Sequence, residues 1–333
     1  VAYAARAIGA IHHSEEPSVL DIAIMIEGQQ GLTWDRWRRL ASAVEALGFS
    51  GLYRSDHFTD PMPPERDSLE LVVSLAWLAD RTERIQFGPC VAPVSFRDPI
   101  MFTRQALQLA ELSGGRMVLG LGAGWQEREH RMFGYPLGDV ATRMARFGEA
   151  LAVTNALVRG AGPAQFAGEF YHLDDAVLLP RSPGVTLPIM IGGNGLRRTL
   201  GLAARYADIW NGVWLTAGQF AERSAALDGM LAAAGRPADA VRRTLMTGIY
   251  FGVDHAGLAR RLAWRSADAA PLDEQVATLR AAGQVIVGGP ADCCEQLASM
   301  AAAGVQEIYL QWLDLDDLRG LEELAHHVLG RVG

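Results

Sequence analysis

Cysteine is scarce in this chain: Cys90, Cys293 and Cys294 are all it has among 333 residues. Three thiols at such spacings supply neither a disulfide framework nor the four ligands of a structural zinc site, and a cytoplasmic setting is the default that follows. Runs of Lys and Arg are missing as well, and the net charge is −8. A protein that neutralises nucleic-acid phosphates needs clustered cations, so that partner class is excluded. Nor does any apolar run approach the roughly 20 residues that a membrane-spanning helix needs. Residues 1–18 lack the basic start and long apolar centre of a signal peptide. They read as a loose tail, its paired His12 and His13 included, rather than as a metal site. A small molecule is the expected partner.

Half of the residues are apolar and a fifth are charged, enough for one large buried core. From Leu20 onward, short apolar runs alternate with segments of helical period, the grammar of parallel βα units. Leu20 to Ile26 is a strand. Thr33 then caps a helix whose apolar face carries Trp34, Trp37, Leu40, Ala41, Val44 and Leu47, and Gly48 stops it. Asp98-Pro99 opens another as cap and first-turn proline, and Gly114-Gly115 closes it. Further strands are expected at Gly51 to Arg54, Ile85 to Val91, Met117 to Leu121, Ile189 to Gly192, Asp208 to Trp210, Met246 to Val253 and Glu307 to Gln311. Gln284 to Val287 is assigned to a loop. This set predicts a single (β/α)8 TIM barrel over 19–333, and its length favours the closed barrel over a doubly wound sheet. The Gly-, Pro- and aromatic-rich stretch at about 160–187 is expected to be a hairpin-bearing insertion over the C-terminal mouth.

In such a barrel the chemistry sits on the loops that follow the strands. Those positions hold Asp56-His57, Cys90 to Pro93, Gly122-Ala123-Gly124-Trp125 and Gly192-Gly193-Asn194-Gly195. Singly each is weak, since a lone His is more often structural and GxG arises by chance in a glycine-rich chain. The last is the strongest, because glycines directly before a helix leave amides free to hold an anion. A tight turn beside two solvated arginines, Arg197 and Arg198, is the bland alternative. A Rossmann reading fails, because no GxxG register or following acidic residue accompanies Gly120, Gly122 and Gly124.

The segments IMIEGQQGLTWDRW, GLYRSDHF, CVAPVSFRDP, LSGGRMVLGLGAGWQEREHRMFG, IGGNGLRRTLGLAARYADIWN and VGGPADCCEQLASMAAAGVQEIYL, in this order, resemble the luciferase-like oxidoreductases. More narrowly they are similar to the branch that uses the deazaflavin coenzyme F420. The resemblance implies that Asp56 and His57 lie by the polar edge and reactive centre of the cofactor ring. It implies that Cys90 and Val91 support the ring's face across a cis peptide, that Gly122, Ala123, Gly124 and Trp125 border the cofactor, and that Gly193, Asn194 and Gly195, after Gly192, receive its phosphate. It also implies a homodimer. The sugar-phosphate dehydrogenase branch has a glutamate where this chain has Trp125, which argues against glucose 6-phosphate as substrate. Glu127, Glu129 and His130 read as structural.

The function implied is hydride transfer between coenzyme F420 and a small organic substrate, with His57 exchanging a proton or stabilising charge. An FMN-dependent luciferase-like monooxygenase would use the same barrel and phosphate motif. From other classes, a cofactor-binding protein without turnover and a flavin-free barrel enzyme acting on a phosphorylated metabolite stay open. No metal is expected.

Overall fold

The computed structural model describes residues 20–263 and 270–332, so the tail read over 1–18 lies outside it. Strand β1 (Asp21–Ile26) shows how the barrel is specified. Its side chains alternate, with Ile22, Ile24 and Ile26 facing outward into the layer between strands and helices. Ala23 and Met25 face the barrel axis, because successive strand residues point to opposite faces. Helix α1 (Trp34–Leu47) begins where Thr33 accepts the Arg36 N–H and ends at Gly48, whose φ of 94° suits glycine. It buries Trp37, Leu40, Ala41 and Val44 against the sheet. Burial of side chains the size of Leu40 and Val44 is worth about 1.5–3 kcal/mol each.

The chain continues through β2 (Gly51–Arg54), α2 (Leu71–Arg81), β3 (Gln86–Pro89), β4 (Ala92–Pro93), α3 (Pro99–Ser113), β5 (Leu119–Gly122), α4 (Glu127–Phe133) and α5 (Val140–Arg159). Asp98 caps α3 by accepting the Met101 N–H at 2.8 Å, and Gly114 closes it at a φ of 68°. After the hairpin β6 (Ala164–Ala167) and β7 (His172–Ala176) come β8 (Ile189–Gly192), α6 (Arg198–Tyr206), β9 (Ile209–Val213), α7 (Ala217–Ala233) and β10 (Arg242–Phe251). The last elements are α8 (His255–Leu262), α9 (Leu272–Ala282), β11 (Val285–Gly288), α10 (Pro290–Ala302), β12 (Glu307–Gln311) and α11 (Leu318–Val328).

The parallel sheet runs β3-β2-β1-β12-β10-β9-β8-β5-β4. Its two ends, β3 and β4, are halves of one stave interrupted at Cys90 and Val91, and both meet the next stave. Phe87 of β3 bridges Met117, and Ala92 of β4 pairs Leu121 of β5. The sheet therefore closes as a TIM barrel, with every strand expected from the sequence in place. Inside, Tyr53 and Tyr309 stack with ring centroids 4.3 Å apart. Met25, Cys90, Ile209 and Met246 share this axial cluster with them.

One expectation differs from the structure. Gln284 to Val287 is not loop. Strand β10 extends past its pairing with β9 and β12, which ends at Met246 and Gly248, and β11 covers the backbone edge left over, from Gly248–Val285 to Phe251–Gly288. The β6–β7 hairpin packs along α5. Ala164 and Leu173 bury against Val153 and Leu157 of α5, and Glu149 accepts the N–H groups of Glu169, Phe170 and Tyr171 at 2.8–3.2 Å. Its apolar face is satisfied on the outside of the barrel.

Candidate active site

A cavity of ≈ 570 Å³ opens at the C-terminal ends of the strands, a size ordinary for a cofactor site. Met25, Met246, Cys90 and Asn211 line its inner part. The Cys90 thiol donates to Asn211 Oδ1 at 3.6 Å. Burial, with the nearby Glu27 charge, raises its pKa, so it stays a neutral thiol. The Cys90–Val91 peptide is cis.

Val91 explains two glycines. A Cβ added at Gly122 would lie 2.6 Å from Val91 Cγ2, and one at Gly192 would lie 3.0 Å from Val91 Cγ1. The valine side chain occupies the room that these glycines leave, and all three line the cavity. Gly193 has a φ of 124°, a conformation strained for any other residue. Ala123, Gly124 and Trp125 complete the wall after β5.

His57 lies where β2 ends and lines the same cavity. Its Nδ1–H donates to Glu129 Oε1 at 2.9 Å, while Glu129 Oε2 accepts the Phe58 N–H at 3.0 Å. Glu129 is 1% exposed, so both carboxylate oxygens are committed inside the protein. Burial opposes the charged imidazole, but the Glu129 hydrogen bond and charge, aided by Glu27 and Asp56, outweigh it and raise the His57 pKa. With Nδ1 bound, Nε2 is the nitrogen left to act.

Three expected site residues lie outside the lining. Asp56 is turned away to accept both the Nε and the Nη2 hydrogens of Arg97, the latter at 2.9 Å, and Arg97 also reaches Glu70 at 2.7 Å. It is a buried brace between the loops after β2 and β4. Asn194 spends its side chain on Val213, donating to the carbonyl at 2.7 Å and accepting the N–H at 2.9 Å. Gly195 is exposed. The Gly193 N–H is used too, since it donates to Asn211 O at 3.0 Å and prolongs the β8–β9 pairing. Among the described residues, the amides of Asn194 and Gly195 are those of this loop left for an anion.

Glu129 was legible only as a helix residue, since 72 positions separate it from His57. Glu27 and Trp214 could have been found, because each directly follows a strand end. Gln29 and Gln311 donate to the Glu27 carboxylate at 2.9 and 2.6 Å. Trp214 has a φ of 53°, uncommon for a bulky side chain, with its N–H on Met246 O at 2.9 Å. His130 is structural, held between Gln126 O and Ser95 Oγ, both at 2.7 Å. Among the described residues no cluster of His, Cys, Asp or Glu could hold a metal ion, and no helix is long and apolar enough to cross a membrane.

The family model described as luciferase-like monooxygenase matches residues 19–307. An F420-dependent glucose-6-phosphate dehydrogenase from Amycolatopsis mediterranei is 30% identical over 159 residues, 46% of each chain. An F420-dependent hydroxymycolic acid dehydrogenase from Mycobacterium tuberculosis is 29% identical over 196 residues, 59% of this chain and 53% of the relative. The chain thus spans about half the length of these curated relatives. Among solved structures, an F420-dependent secondary alcohol dehydrogenase in complex with an F420-acetone adduct superposes with a TM-score of 0.79 at 17% identity, covering 95% of this chain and 99% of the other. An EDTA monooxygenase from Chelativorans sp. BNC1 gives 0.75 at 16% identity, covering 93% and 92%. At those identities the likeness is one of fold.

Proposed function

This chain belongs to the luciferase-like monooxygenase family, and from that premise we propose that it is an oxidoreductase that binds coenzyme F420 in the cavity and exchanges hydride with a small organic substrate. The observation that carries the reading is the buried Glu129 locking Nδ1 of a cavity-lining His57 at 2.9 Å. That arrangement leaves Nε2 to give or take a proton. The names of the F420-dependent relatives support the choice of cofactor.

The residues present fit such a group. Val91, seated between Gly122 and Gly192, gives a wall for a flat ring, and the free amides of Asn194 and Gly195 can hold a phosphate. When bound, the deazaflavin supplies the hydride chemistry. The chain's own part is to orient the substrate, to exclude water with Trp125 and Trp214, and to move a proton at His57 Nε2. Asp56 acts through Arg97 as a brace, and Cys90 contributes a small neutral surface.

A cytoplasmic homodimer built on a single barrel domain, with 160–187 as its insertion, completes the proposal. Unpaired Cys90, Cys293 and Cys294 suit a reducing compartment, and exposed Val73 and Met101 on α2 and α3 suit a covered face. Titration of the purified protein with coenzyme F420 and FMN in parallel, followed by tryptophan fluorescence, tests the cofactor. Tighter binding of F420 is expected; equal or tighter FMN affinity overturns it in favour of an FMN-dependent monooxygenase.

A further inference from the structure

The cavity's charge is one-sided. Glu27, Asp60 and Glu129 line it together with His57, and no Lys or Arg does among the described residues. The cations on the loops around it lie outside the lining. Arg128 donates to Thr59 Oγ1 and Asp60 O at 3.1 and 2.8 Å and pairs with Glu65. Arg66 donates to Gln30 Oε1 at 2.7 Å, and Arg97 is held by Asp56 and Glu70. His57, the one lining group that can carry positive charge, is neutralised by Glu129. An anionic substrate would find carboxylates in the lining and no Lys or Arg there among the described residues, and a phosphate-bearing cofactor would deepen that bias.

The same mouth is apolar and aromatic. Trp125 is 61% exposed, and its ring meets His57 edge-on at 5.6 Å. Next to His57 in the chain, but outside the cavity lining, Phe58 stacks on Phe133 at 4.5 Å and lies 5.9 Å from Tyr135. Phe58 and Phe133 are 41% and 49% exposed. Contiguous rings left in water beside a cavity mark a binding surface, and ring faces attract cations and repel anions.

Resting on the reading of this cavity as a hydride-transfer site, we propose that its substrate is a non-anionic molecule with a flat apolar portion that packs against Trp125, and that carboxylates and sugar phosphates are refused. Selectivity then comes from repulsion and from the missing cation as much as from contact. Glu27 and Asp60 set the charge preference, and Trp125 sets the preference for a flat ring.

Calorimetric titration of the full chain, free and loaded with coenzyme F420, tests this with one scaffold in three charge states: 2-naphthylmethanol, its trimethylammonium analogue and 2-naphthoate, with glucose 6-phosphate alongside. The alcohol and the cation should bind on the order of tenfold more tightly than the carboxylate, and glucose 6-phosphate should give no binding heat. Glu27→Gln and, separately, Asp60→Asn should narrow the gap, while Trp125→Ala should weaken the alcohol and the cation together. Equal or tighter binding of the carboxylate or of glucose 6-phosphate overturns the proposal, as does failure of the whole series to bind at millimolar concentration. A chain that ranks the series as stated but binds no F420 refutes the cofactor reading alone. A chain that binds F420 yet prefers the carboxylate refutes only this one.

Discussion

Replacing Glu129 by Gln removes the charge that holds His57 and leaves the side chain's shape. In the native protein burial works against the imidazolium and the carboxylate more than compensates, so the His57 pKa stands above its ordinary value. Without the carboxylate, burial remains and its partner is gone, so the pKa should fall below that value. The stability consequence has a definite sign. A raised folded-state pKa means that the pair's contribution is complete below the unfolded histidine value of about 6.5 and is lost as pH rises through the folded value. Breaking a fully buried ion pair costs about 3–5 kcal/mol. Here the His57 side chain is 14% exposed, and Gln can still accept the Phe58 N–H, so about 2 kcal/mol is expected near pH 6. That loss should shrink above the folded pKa. Chemical denaturation at pH 6 and pH 9 reads the stability, and the pH profile of turnover reads the imidazole. Whichever direction the hydride runs, the limb that reports His57 should move to lower pH in the variant. An unmoved limb, or a stability loss that is the same at both pH values, would refute the coupling of Glu129 to His57.

His57→Ala should lower kcat far more than it weakens F420 binding, and an unchanged kcat would remove His57 from the proton-transfer role. Asp56→Ala should cost about 2–3 kcal/mol in denaturant unfolding with little change in F420 affinity, because Asp56 faces Arg97 and not the cavity; a large affinity loss in a well-folded variant would place it back in the site. Gly122→Ala should displace Val91, which would stand 2.6 Å from the new methyl, costing about 1–3 kcal/mol and weakening F420 binding, whereas unchanged affinity would take Val91 off the ring wall. Asn194→Ala should cost about 1–3 kcal/mol through the unpaired Val213 backbone, and a thermal melt indistinguishable from that of the native protein would contradict the clamp.

The sequence by itself determined whatever depends on neighbours a few positions away. The alternation of Ile22, Ile24 and Ile26 with Ala23 and Met25, the Thr33 and Asp98 caps, and the glycines at 48 and 114 all act within one strand or one helical turn. For that reason the barrel and the placement of His57, Cys90, Val91 and Gly122 to Trp125 at its mouth were legible. Only the tertiary structure decided how those residues are used. It put Glu129 behind His57 across 72 positions, turned Asp56 away to Arg97, and made Gly122 and Gly192 the space for Val91. It also laid the 164–176 hairpin on α5, and gathered three carboxylates around one cavity with no Lys or Arg among its described lining residues. The physical reason is range: periodicity and capping are local, whereas partners, burial and the sign of a cavity's field arise when loops from different staves converge.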